Sequence, residues 1–168
     1  MSLLAEVVVE EWLNRQGYFT IRGVKLGYDE IDLLAIRVCP DGSLERRHIE
    51  VQASVRPISY ISRVPRQVQK ETCKAANSAS RTEDELKIGV DEWVEKKFHK
   101  PSKRLLLQSL GNGTWTSELV VNETKSKEEV ALIQGKGIRI LYLNLSCVSS
   151  FSAFVLAAAC FVPDGPLV

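Results

Sequence analysis

The sequence predicts an α/β domain, on three observations. Residues 18 to 55 hold strand-like runs separated by turn residues, one continuously apolar at Leu33-Leu34-Ala35-Ile36 and one alternating apolar and polar side chains from Ile49 to Val55. Leu3 to Gln16 and Thr82 to His99 set their apolar residues at helical spacing. Residues 126 to 144 read as a helix, then Gly135, then an apolar strand, and they follow another apolar run at Arg104 to Leu110, which is the order of a βαβ unit.

With 168 residues the chain is expected to form one domain with a substantial core, residues 3–147, followed by an apolar helix over 148–162 and a tail over 163–168. The formal net charge is +1, so a polyanionic partner would have to be met by a local basic patch. Cys39, Cys73, Cys147 and Cys160 have no paired spacing, and only His48 and His99 are available to join them, so no zinc signature is present. The acidic start (Glu6, Glu10, Glu11) is unlike a secretory signal, and 148–162 is too short to span a membrane. These features predict a soluble protein of the cytoplasm, or of the nucleus in a eukaryote.

Along the chain, Leu4, Val7, Val8, Trp12 and Leu13 form the expected inner face of the first helix, which Gly17 stops. Tyr18 to Leu26 is a strand. The runs beginning at Asp32 and at Ile49 are two more, joined as an antiparallel hairpin by the turn residues Cys39-Pro40-Asp41-Gly42-Ser43. A helix is expected from about Ile61 or Arg63 to Ala79, with its first regular turn at Pro65. Thr82 and Glu85 make a capping box for the next helix, with Leu86, Val90, Trp93, Val94 and Phe98 inside and Pro101 closing it. Arg104 to Leu110 is expected as a strand buried on both faces, then a strand or loop over 115–121, a helix over 126–134 and a strand over 137–144.

Acidic groups stand inside two of these strands. Side chains two apart on a strand share a face, so His48, Glu50, Gln52 and Ser54 point one way while Ile49, Val51 and Ala53 point the other. Pairing the hairpin brings Asp32 and Glu50 toward one place. A carboxylate buried alone is costly, so the pair needs a counter-ion, an acid–base role or a divalent cation. Downstream, Arg56, Arg63, Arg66, Lys70, Lys74 and Arg81 form the one markedly basic stretch, either a solvated helix face or a phosphate-binding surface.

The order of Glu6 on a first helix, Glu30-Ile31-Asp32 opening an apolar strand, Glu50-Val51-Gln52 on its partner and a basic helix beyond resembles the PD-(D/E)xK nuclease superfamily, which includes restriction endonucleases and Holliday-junction resolvases. The resemblance covers Leu3 to about Ala79. It implies a restriction-endonuclease-like core, with a mixed central sheet of about five strands flanked by helices. It also implies metal-dependent hydrolysis of DNA phosphodiesters. By that resemblance Asp32, Glu50 and the Val51 main chain hold Mg²⁺ (Mn²⁺ as a substitute), Glu6 assists, and Arg56, Arg63, Arg66, Lys70 and Lys74 meet the DNA, with branched or damaged DNA among the candidate substrates. One position departs from the pattern. Gln52 stands where the family usually has Lys, and it can orient water but carries no charge. Lys70 is the expected substitute.

Two other readings compete with a nuclease. One is a catalytically inactive nuclease-like fold that binds nucleic acid or protein, with a homodimer through the C-terminal apolar segment as a further partner. The other is a structural network in which Asp32 and Glu50 pair with Arg22, Arg37, Arg46 or Arg47.

Overall fold

The computed structural model describes residues 2–54, 58–143 and 161–162. Helix α1 (Ser2–Arg15) leads into strands β1 (Phe19–Leu26), β2 (Asp29–Val38) and β3 (Leu44–Gln52). Then come α2 (Arg66–Thr72), α3 (Glu83–Val94), a π-helical turn (Glu95–His99), α4 (Pro101–Ser109), β4 (Thr116–Val121), α5 (Lys127–Gly135), β5 (Arg139–Leu143) and the two-residue β6 (Phe161–Val162). The strands form one mixed sheet in sequence order. β1, β2 and β3 are antiparallel, β3, β4 and β5 parallel, and β6 antiparallel to β5. This is the expected α/β class, five principal strands flanked by helices. No described helix is long and apolar enough to cross a membrane.

Each face of the sheet has its own core. On one, Ala5, Val9, Trp12 and Leu13 of α1 pack against Leu33, Ala35, Ile49, Val51, Val120 and Leu141. On the other, Val90, Val94 and Phe98 pack with Ile133 of α5 against Leu119, Val121 and Ile140. Since β3 alternates, His48 and Glu50 lie on this second face, beneath the π turn. The inner face of α1 differs from expectation: Ala5 and Val9 are buried, whereas Leu4 is 67% and Val7 40% exposed. A run of aliphatic residues allows more than one inner stripe, and small Ala5 lets the helix approach the sheet closely.

The hairpin, the capping box of Thr82 and Glu85, and α5 with its Ser126 cap form as expected. Two readings are corrected. The helix expected to reach Ala79 is only Arg66–Thr72, because Cys73 takes a left-handed conformation (φ 55°) that ends it. Residues 104–110 are not a strand but most of α4: Lys103 and Leu107, four apart, are buried, and Leu105 is 66% exposed. Pro101 closes the preceding helix as expected, leaving Lys100 extended after His99, and it also opens α4 at its first position, where its missing N–H costs nothing. Of the predicted C-terminal helix, 148–160 lies outside the described residues, and Phe161–Val162 is strand.

The segment after β3 is tied down by one buried carboxylate. Glu129 accepts the Ile61 and Ser62 N–H groups at 2.7 and 2.8 Å and the Ser62 hydroxyl at 2.5 Å. Arg81 lies over the Tyr60 ring and donates to the Ser62 carbonyl.

Candidate active site

Two strands part at the site. β2 and β3 pair from Val38↔Leu44 down to Leu33↔Ile49, and beyond that point residues 29–31 of β2 pair with β1. In the gap so made, the Asp32 carboxylate accepts the Val51 N–H at 2.8 Å. A strand residue presents its N–H and C=O to the same edge, so the Val51 carbonyl faces this gap too.

Glu50 is almost completely buried, and each of its oxygens is held by a different lysine. Lys103 donates to Oε1 at 2.6 Å and Lys97 to Oε2 at 2.5 Å. The Lys97 ammonium also stands 3.9 Å from Asp32 Oδ2, so it bridges the two acids. His48 Nε2 lies 3.3 Å from Glu50 Oε1, and its ring packs on Phe98 with centroids 4.9 Å apart.

The local chain geometry explains how these lysines arrive. In a continuous α-helix the Lys97 carbonyl would accept from the N–H of residue 101, but residue 101 is proline and has none. The helix relaxes into a π turn, Lys100 becomes extended, and the Lys103 ammonium takes the Lys97 carbonyl at 2.7 Å. Lys100 pins the bend to the start of β2, reaching both Asp29 oxygens at 2.6 Å.

These neighbours separate the two carboxyls electrostatically. Burial raises the Asp32 pKa, the nearby Glu50 charge raises it further, and Lys97 and the Val51 N–H only partly oppose them, leaving it at about 7. Burial pushes Glu50 in the same direction, but the His48 hydrogen bond and the charges of Lys97 and Lys103 outweigh it and hold Glu50 at about 2. Burial lowers the His48 pKa, against the pull of Glu50, and so favours its neutral form.

Of the expected site residues, the structure brings together Asp32, Glu50 and the Val51 main chain. Gln52 shares the Glu50 side of β3, but its amide nitrogen is committed to the Ile61 carbonyl at 3.1 Å, which leaves its oxygen for a water. Glu6 is buried on α1, the helix that covers the opposite face of the sheet. Among the described residues no three His, Cys, Asp or Glu side chains form a metal-holding group, so Asp32 and Glu50 stand as a pair without it. Lys70 is exposed on α2, and the cations at the acids are Lys97 and Lys103 instead.

Arg63 and Arg66 are exposed, Lys74 is paired with Glu85 at 2.7 Å, and Arg56 lies outside the described residues. The arginine network is also corrected: Arg22 pairs with Glu10, Arg37 with Glu45, and Arg47 with Glu118, while Arg46 lies against Gly113. Lys103 escapes sequence reading because it abuts the Leu105-Leu106-Leu107 run, which suits a buried strand as well as a helix. The i, i+4 spacing of Lys103 and Leu107 behind Pro101 was the available signal.

No family model and no curated protein matches the chain. Among solved structures, a crystal structure described as the protein of unknown function AF1548 is similar, with 16% sequence identity and a TM-score of 0.43, over 93% of this chain and 78% of that one.

Proposed function

We propose that the chain is a metal-dependent endonuclease of the PD-(D/E)xK type that hydrolyses phosphodiester bonds in DNA. The observation that carries this reading is the meeting of Asp32 and Glu50 at the parted ends of two antiparallel strands, with one cation, the Lys97 ammonium, reaching both. The donor set suits Mg²⁺, which binds through one or two carboxylates and keeps several waters. Asp32, Glu50 and the Val51 carbonyl would hold it. When bound, such an ion polarises the phosphodiester and lowers the pKa of a coordinated water.

The chain's own groups supply the rest. The Gln52 oxygen accepts a hydrogen bond from the attacking water and so orients it. Lys97 supplies the positive charge that Gln52 lacks, and Lys103 holds Glu50 ionised from behind. Arg63, Arg66 and Lys70, exposed on the segment after β3, meet the DNA backbone.

A panel of linear, nicked, flapped and four-way DNA incubated with Mg²⁺ or Mn²⁺ tests the reading. Cleavage is expected, and Asp32→Ala or Glu50→Ala should lower it about 100-fold or more while the fold is retained. Full activity in both variants would sink it.

A second reading has its own observation. Both Glu50 oxygens are already satisfied by lysines, which is how a purely structural buried ion network looks. In that case the chain is an inactive nuclease-like module that binds nucleic acid or protein. It would bind DNA or a partner without cleaving any member of the panel.

A further inference from the structure

The two lysines on Glu50 are not equivalent. The Lys103 side chain is 2% exposed, holds Glu50 Oε1, and is locked by the carbonyl that the π turn frees. The Lys97 side chain is 31% exposed, holds Oε2, and reaches toward Asp32. Lys103 therefore has no route to solvent without unpacking α4, whereas Lys97 sits at the mouth of the site on the least regular turn of its helix. The space between Glu50 Oε2 and Asp32 Oδ2 is the space Lys97 occupies.

We infer that Lys97 is the exchangeable counter-ion of this site: a divalent cation enters by taking the place of the Lys97 ammonium between Asp32 and Glu50, while Lys103 stays on Glu50. The inference rests on the nuclease reading for the presence of a metal, but it concerns how the chain's own lysine makes room. With both acids ionised, Asp32, Glu50, Lys97 and Lys103 sum to zero. Exchanging Lys97 for a doubly charged ion leaves the pocket with one net positive charge, which favours a phosphodiester. The released ammonium stays tethered at the mouth, where that phosphodiester must approach. In apoprotein and metal-loaded protein alike a cation thus stands between the two acids, and DNA is met by two cations only after exchange.

Removing the ammonium removes the competitor. Calorimetric titration of the full chain with Mn²⁺ should show Lys97→Met and Lys97→Gln binding about ten-fold more tightly than wild type, with the double variant Asp32→Asn/Lys97→Met losing the gain. Equal or weaker binding in both single variants would overturn the inference.

A second readout uses wild-type protein alone. Lysine acylation followed by mass spectrometry should show Lys97 labelled about ten-fold faster at saturating Mg²⁺ and Lys103 protected throughout. Unchanged or slower labelling of Lys97 would overturn the inference even if neither variant folds. If these results hold while wild type cleaves no DNA, exchange stands and the nuclease reading fails. If wild type cleaves DNA while Lys97 labelling ignores Mg²⁺, the nuclease reading stands and exchange fails.

Discussion

Lys103 and Glu50, 53 positions apart in sequence, meet at 2.6 Å with almost none of either side chain exposed. The contact joins α4 to β3 across the sheet face and fixes the acid from the side away from solvent. Lys103→Met would leave Glu50 with one half-exposed lysine and a neutral histidine. Breaking a buried pair from one side costs about 3–5 kcal/mol, so urea unfolding should show a loss in that range. Pairing Lys103→Met with Glu50→Leu should recover much of it, because the uncompensated buried charge is then gone.

The two acids should give opposite pH signatures. In Asp32 the folded-state pKa, about 7, lies above the ordinary value of 3.8, so between these pH values the folded chain keeps a proton that the unfolded chain has released. Its contribution to stability is full below 3.8 and is lost as pH rises toward 7. In Glu50 the folded value, about 2, lies below the ordinary 4.5, so its contribution is present above 4.5 and is lost as pH falls through about 2. Unfolding free energies at pH 4 to 8 should therefore fall more steeply in wild type than in Asp32→Asn. Equal slopes would mean that Asp32 ionises at its ordinary pH in the folded chain.

How far the site was legible follows from what each residue depends on. Asp32 and Glu50 were visible because a charge inside an apolar, two-residue alternation is a local pattern, and a hairpin brings such charges together at short range. Lys97 and Lys103 were not visible in that way. Their place depends on a proline that withholds one hydrogen bond, a π turn that absorbs the defect, and an apolar triplet that suits a strand or a helix equally well. Lys70 is the expected substitute because it stands on the helix that follows β3, but α2 is a two-turn helix that buries no residue, and it leaves that lysine exposed. The α/β class was clear from the order of patterns, whereas the inner stripe of α1 depended on how closely Ala5 lets the helix approach, which no periodicity records.

Glu129 should carry the segment that follows β3. It is fully buried and accepts two N–H groups and a hydroxyl from Ile61 and Ser62, so Glu129→Ala leaves three donors without an acceptor. Unsatisfied buried donors cost about 1–3 kcal/mol each, with relaxation of the segment recovering part, so a total loss of about 3 kcal/mol is expected in chemical denaturation. Hydrogen exchange should locate it, with the Ile61 and Ser62 amides losing protection before those of β3. Because Gln52 donates to the Ile61 carbonyl, the same variant should also loosen Gln52 and slow cleavage without changing metal affinity.

Among the described residues the basic stretch divides into exposed cations that can meet phosphates and two, Lys74 and Arg81, that are already engaged, Arg81 on the Tyr60 ring and the Ser62 carbonyl. Arg63, Arg66 and Lys70 are exposed, whereas Lys74 donates to both Glu85 oxygens, at 2.7 and 2.8 Å, and fastens the end of α2 to the start of α3. Each phosphate contact releases about 0.9 of a counterion from duplex DNA, so its loss flattens the plot of log affinity against log salt by about that amount. The triple variant Arg63→Ala, Arg66→Ala, Lys70→Ala should therefore weaken DNA binding and reduce the slope by about 2.7. Lys74→Ala should leave the slope unchanged and lower stability by up to about 1 kcal/mol, as expected for a partly exposed pair. Fluorescence anisotropy with a labelled duplex between about 50 and 200 mM salt makes the comparison, in a range where such contacts dominate affinity. A slope that responds to Lys74 and ignores the other three would place the DNA on a different face of the protein.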